Sequence, residues 1–274
     1  DYEVSRLATR FEQLKEQSRT ALIPYVMAND PAPGITLPLM HAMVEAGADA
    51  IELGAPFSDP MADGPVIQAA AERSLAHGTS MHDVLDLVKA FRETDDTTPV
   101  IVMGYLNPIE VMGYREFASQ AADAGVDGII TVDMPPVEAG DYLPALNDAG
   151  IDPVFLLAPT STEQRIKALA KVASGFVYYV SLKGVTGAST LDVASVERKL
   201  EEIRQHIDLP VGVGFGISNA ESAASVASCA DAVVVGSAIV KKMTLNDGQS
   251  EQDRTTIIKE ISDILSEMRA AMDA

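Results

Sequence analysis

The 274-residue sequence predicts a single (β/α)8 barrel, and three regularities carry that expectation. Eight short apolar runs recur along the chain: "ALIPYVMA" (21–28), "DAIELG" (49–54), "PVIVMG" (99–104), "DGIITVD" (127–133), "DPVFLLAP" (152–159), "FVYYVS" (176–181), "PVGVGFG" (210–216) and "DAVVVGS" (231–237). Most are continuously apolar and do not alternate, as strands buried on both faces of a parallel sheet should be. Amphipathic stretches lie between them, and glycine stops close several of those stretches.

Taken in order, "SRLATRFEQLKEQ" (5–17) is an extra helix ahead of the first strand. Helical periodicity then returns at 37–48, 81–93, 114–126, 144–151, 162–174 and 195–207, and in a C-terminal tail at 252–272. Four stretches run into a small-residue stop before the next strand, "EAGAD", "DAGVD", "NDAGID" and "KVASGF", where Gly supplies a left-handed helix end. Eight such units in about 250 residues fit a closed barrel better than a doubly wound sheet, which has fewer strands. No linker or composition break divides the chain, so residues 1–274 read as one domain.

Composition narrows the function classes. Hydrophobic residues make up 47%, yet no apolar run reaches the ~18 residues of a membrane span. The single cysteine, Cys229, has no disulfide partner, and the N-terminus lacks a basic-then-apolar leader pattern, which leads to the expectation of a cytoplasmic enzyme. Forty acids against twenty bases give a formal charge of −20, which repels nucleic-acid phosphates. The acids are dispersed, as on a solvated surface, and a surface of this kind suits a high-salt cytoplasm; a halophilic origin is therefore expected.

In such barrels chemistry sits at the C-terminal strand ends. Glu52 lies in the second strand, where a carboxylate among apolar neighbours is costly unless protonated, paired or functional. Asp59 and Asp63 follow in "SDP" and "ADG", where local chemistry alone favours Asx turns; only a pocket shared with Glu52 makes an acid/base pair. After strands seven and eight, Gly216, Gly236 and Ser237 offer backbone donors suited to phosphate, and "KGVTGAS" adds Gly184 and Gly187. His41, His77, His82 and His206 all fall on helical patterns, so neither a metal site nor, without GxGxxG, a dinucleotide is expected.

Together "IELGAPFSDPMADGPVIQ", "MGYLNPI", "VDMPPVEA", "KGVTGAS", "GFGIS" and "VVGSAIVKK" resemble the tryptophan synthase alpha subunit family, in order from Leu22 to Lys242. The resemblance implies retro-aldol cleavage of indole-3-glycerol phosphate to indole and glyceraldehyde 3-phosphate, with no cofactor in this chain. It implies that Glu52 is acid and base and that Asp63 accepts the indole N–H. Tyr25, Tyr178, Thr186, Gly187, Phe215, Gly216, Gly236 and Ser237 would surround the substrate, with Thr186 on a closing loop. It further implies a pyridoxal-phosphate beta subunit as partner in an alpha2beta2 assembly, faced by Asp59 and Asp133. The chain departs from the family pattern at Asn29, at Leu182 and Lys183, and at Gly104, whose small size suggests a differently shaped indole pocket. Two alternatives stand beside this reading. One is another phosphate-binding barrel, such as an indole-glycerol-phosphate synthase or phosphoribosyl isomerase, for which Lys183 is the only catalytic candidate. The other is a non-catalytic barrel that activates a beta subunit.

Overall fold

A computed structural model describes residues 4–134, 140–181, 192–214 and 216–274. Among them eight strands pair in parallel and in chain order: β1 (Ala21–Met27), β2 (Ile51–Gly54), β3 (Val100–Gly104), β4 (Gly128–Thr131), β5 (Asp152–Leu157), β6 (Val177–Val180), β7 (Val211–Gly214) and β8 (Ala232–Val235). β8 returns to pair with β1, from Ala21 beside Ala232 to Pro24 beside Val235, and closes the barrel. All eight expected strands are present.

The helices are α1 (Arg6–Glu16), α2 (Thr36–Glu45), α3 (Pro65–Ala76), α4 (Met81–Arg92), α5 (Leu106–Met112), α6 (Tyr114–Ala124), α7 (Tyr142–Asp148), α8 (Glu163–Ala170), α9 (Val193–Arg204), α10 (Ala220–Ala227), α11 (Ser237–Val240) and α12 (Glu251–Asp273). Four of these, α3, α5, α10 and α11, lie outside the periodic stretches read from sequence. α3 starts with Pro65 directly after a Pro/Gly-rich loop, where proline's fixed φ and missing N–H are tolerated. α10, "AESAASVA", is built of small residues whose apolar stripe is faint, and it is started by a capping box between Asn219 and Ser222.

The four glycine stops all adopt positive φ: Gly47 at 115°, Gly125 at 96°, Gly150 at 75° and Gly175 at 77°. At Gly47 space also demands glycine, since a Cβ there would lie 2.6 Å from Cγ of Arg269. Asn29 takes φ 57°, the left-handed geometry that asparagine tolerates.

The core has two parts. One fills the space between strands and helices, through side chains such as Leu22, Ile51, Val102 and Leu265. The other fills the barrel interior with Ile23, Ile101, Ile130, Val154, Phe176 and Val234, and there α1 contributes Leu7, Phe11 and Leu14. The Phe11 and Phe176 rings stand 5.6 Å apart, so α1 plugs the N-terminal end of the barrel. Three acids that open predicted strand runs work at this end. Asp49, Asp127 and Asp231 accept the N–H groups of Leu22, Val100 and Val211 at 2.9, 2.9 and 2.8 Å. Arg269, Arg92 and Arg204 neutralise them in turn, at 2.7, 2.7 and 3.1 Å. With its floor sealed in this way, the barrel is open for chemistry at the opposite end.

Candidate active site

β2 alternates: Ile51 and Leu53 pack outward among the helices, while Glu52 turns into the barrel beside Tyr25 of β1 and Ile101 of β3. Glu52 is 2% exposed, and its Oε2 has no hydrogen-bond partner among the described residues. A buried, unpaired carboxylate resists ionisation, and burial alone pushes the Glu52 carboxyl up to about 8. A group poised there can both give and take a proton near neutral pH.

Asp63 sits in the β2–α3 loop, just before Gly64, the N-cap of α3. The loop is pinned from several sides. The Asp63 N–H donates to the Pro60 carbonyl at 3.1 Å, and Gln68 Nε2 donates to the Asp63 carbonyl at 2.6 Å. The Tyr105 hydroxyl donates to the Asp63 carboxylate and accepts the Ala62 N–H at 3.1 Å. Burial raises the Asp63 carboxyl and the Tyr105 hydrogen bond opposes that rise. Tyr105 is itself buttressed by Phe57, ring to ring at 5.2 Å. The loop's turns therefore close through backbone carbonyls and Tyr105, not through the Asx turns that local sequence favours.

Tyr25 and Tyr178 are buried against glycines of neighbouring strands. A Cβ at Gly54 would collide with the Tyr25 hydroxyl, and one at Gly214 with the Tyr178 hydroxyl. Glycine at these two strand ends is the slot in which each phenol lies. Burial, reinforced at Tyr25 by Asp63 and then Glu52 and at Tyr178 by Glu52, holds both hydroxyls well above their ordinary pKa, so they stay protonated donors.

These groups share one cavity of about 550 Å³ at the C-terminal mouth. Glu52, Asp63, Tyr25 and Tyr178 line it, with Ile67, Met103, Val132, Leu156 and Val234 as apolar wall and Gly216, Gly236 and Ser237 on the rim. Seven of the residues singled out from sequence are thus brought together. Thr186, Gly187 and Phe215 lie outside the described residues, as do Leu182, Lys183 and Gly184. Asp59 and Asp133 are exposed and do not line the cavity, and Asp133 Oδ1 accepts the Leu106 N–H at the start of α5 at 2.8 Å. Gly104 corrects an expectation: a Cβ there would face Ala55 and Met81, away from the cavity, so it is Met103 that shapes the pocket. Tyr105, Gly54 and Gly214 escaped the sequence reading, although "YLNP" and the paired strand-end glycines were visible. Among the described residues no group of three or more His, Cys, Asp or Glu side chains could hold a metal ion.

Fold and site define a class: a (β/α)8-barrel enzyme whose mouth sets a buried glutamate with a raised pKa and a loop aspartate over one mostly apolar cavity. The sequence pattern of the family described as "Tryptophan synthase alpha chain" matches residues 11–272. The tryptophan synthase alpha chain of Thioalkalivibrio sulfidiphilus is 61% identical over 270 residues, covering 98% of this chain and 100% of its own. The solved tryptophan synthase subunit alpha of Legionella pneumophila superposes with a TM-score of 0.90 at 42% identity, over 99% of each chain. A chain of the tryptophan synthase of M. tuberculosis, in an aminoacrylate- and BRD0059-bound form, superposes with a TM-score of 0.86 at 34% identity, over 98% of this chain and 99% of its own.

The chain belongs to the tryptophan synthase alpha chain family. It is a lyase of tryptophan biosynthesis and catalyses the alpha reaction, the cleavage of indole-3-glycerol phosphate. The alpha chain of this family needs no cofactor, pyridoxal phosphate belonging to the beta chain, and the family works with a beta partner.

Proposed function

We propose that Glu52 carries both proton transfers of the alpha reaction. In its neutral form the carboxyl donates to C3 of the indole ring, and the resulting carboxylate removes the proton from the glycerol hydroxyl at the scissile carbon. The C–C bond then breaks, its electron pair returns to the indole ring, and the hydroxyl carbon leaves as the aldehyde of glyceraldehyde 3-phosphate. Glu52 ends as it began. The observation that carries this reading is its unpartnered, buried Oε2, with the carboxyl raised to about 8, at the wall of the cavity it shares with Asp63.

Asp63 accepts the indole N–H and stabilises the positive charge that protonation puts on the ring, a role suited to a carboxylate held by Tyr105. Tyr25 and Tyr178 flank the substrate. Gly216, Gly236 and Ser237 form the rim for its phosphate, Gly236 being the N-cap of α11, whose first N–H groups lack intrahelical acceptors. Gly187 and Phe215 belong to the same pocket, and Thr186 to its closing loop.

The assembly is alpha2beta2, with Asp59 and Asp133 on the face toward the beta subunit. Two exposed apolar side chains support that face: Met61, two residues from Asp59 and 83% exposed, and Val111 of α5, 81% exposed. The chain works in the cytoplasm, and its net charge of −20 is an adaptation to salt.

Glu52→Gln keeps the side-chain shape and removes proton exchange. Indole release from indole-3-glycerol phosphate should fall by about 10²–10⁴ while circular dichroism stays native. A variant that keeps more than about a tenth of the wild-type rate would remove Glu52 from the chemistry.

A further inference from the structure

The substrate is a phosphate ester, whereas the cavity that receives it holds the Asp63 carboxylate, beside a Glu52 that burial favours in its neutral form, in a chain of net charge −20. The protein's summed field therefore opposes entry of its own substrate. We propose that Arg165 is the cationic guide that draws the phosphate into the mouth, determining capture of the substrate and not the chemical step. Among the described residues that line the cavity, Arg165 is the only lysine, arginine or histidine. It stands in the first turn of α8, where its backbone N–H donates to the hydroxyl of the N-cap Thr162 at 3.2 Å.

The segment that carries it is held in place. The Ala158 N–H donates to Ser161 Oγ at 2.9 Å, and Lys199 Nζ reaches the Ser161 carbonyl at 2.7 Å. The charge itself is left free. Glu163, the acid of the same turn, is engaged by Lys167 at 3.1 Å and lies 3.3 Å from His206. No carboxylate among the described residues pairs with the Arg165 guanidinium, which is exposed. An exposed arginine held in the first turn of a helix, with no ion pair among the described residues, at the lip of the cavity that holds Asp63 is placed to act on an incoming anion. It lies after β5, on a different part of the rim from Gly216 and Gly236, so this role is additional to the phosphate rim proposed above.

Steady-state indole release by Arg165→Gln, Arg165→Glu and Arg165→Lys, compared with wild type in a KCl series, tests the assignment. At an ionic strength of about 0.01 M, where the Debye length is about 30 Å, kcat/KM of Arg165→Gln should fall about tenfold through KM, with kcat unchanged. Arg165→Glu should fall further, Arg165→Lys should stay near wild type, and all four proteins should converge near 1 M KCl. Native circular dichroism at each salt concentration separates these effects from unfolding. An unchanged KM in Arg165→Gln at low salt, a loss that persists in molar KCl, a fall in kcat, or a lysine variant no better than glutamine would each overturn the proposal.

Discussion

Glu52 carries an energetic liability that goes with the chemical role proposed for it. A carboxyl raised from its ordinary value to about 8 is favoured in its neutral form by the folded state. It therefore contributes stability below the unfolded-state pKa, and that contribution is lost as pH rises through the folded value. Glu52→Gln, neutral at every pH, should match wild type near pH 4 and become progressively more stable than wild type toward pH 9. Paired thermal melts across that range check the sign, and a constant difference would mean that Glu52 is not held neutral by burial. Asp63 depends instead on Tyr105. Tyr105→Phe removes one hydrogen bond to a charged group, of about 1.5 kcal/mol, and should lower kcat about tenfold with little change in KM. An unchanged kcat would show that the loop is held by Gln68 and its backbone bonds alone.

At the scale of elements, α1 is the one whose role is least evident from its own sequence. Its apolar stripe shows a buried face, but that this face closes the barrel floor depends on Phe176 lying opposite Phe11 across the interior. Phe11→Ala should cost about 3–5 kcal/mol, because the closed barrel cannot collapse around the void. Chemical denaturation measures it, and a loss below about 1 kcal/mol would show that α1 lies loosely on the barrel. The same logic explains what was legible beforehand. All eight strands were readable because burial on both faces makes continuous apolar runs, and the glycine stops were readable because only positive φ explains them. α3 and α10 were hidden because proline-started and alanine-serine helices carry little periodicity. Glu52 and the rim glycines stood out as chemistry out of place in a strand or loop, whereas Asp63 read locally as an Asx-turn residue and gained a chemical role only through the family resemblance and the cavity it shares with Glu52. Tyr105 did not, since its hydroxyl meets Asp63 only after two strands and a loop come together. Gly54 and Gly214 looked like ordinary strand ends until the tyrosines of neighbouring strands occupied the space that a Cβ would fill.

For the whole molecule, charge is the dominant long-range term. Several acids are neutralised structurally: Asp30 by Arg73, Asp49 by Arg269 and Asp127 by Arg92, and such buried pairs respond weakly to salt. Removing three acids and three arginines from the balance leaves the net charge at −20, so the repulsion resides in the more exposed remainder. Among exposed carboxylates the repulsion reaches about 30 Å at 0.01 M salt and about 3 Å at 1 M. The melting temperature should therefore rise with KCl from millimolar to molar concentration. Screening saturates once the Debye length falls below the spacing of surface charges. A rise that continues into the multimolar range must come from a second effect, strengthened apolar burial, which acts on both core layers. Adaptation to a high-salt cytoplasm predicts that continued rise, whereas an ordinary acidic enzyme predicts a plateau below about 1 M. A melting series in KCl, repeated in Arg165→Gln to hold the active-site guide apart from global stability, separates the two. A flat or falling curve would remove salt adaptation and leave Glu52 and Asp63 with the roles proposed for them.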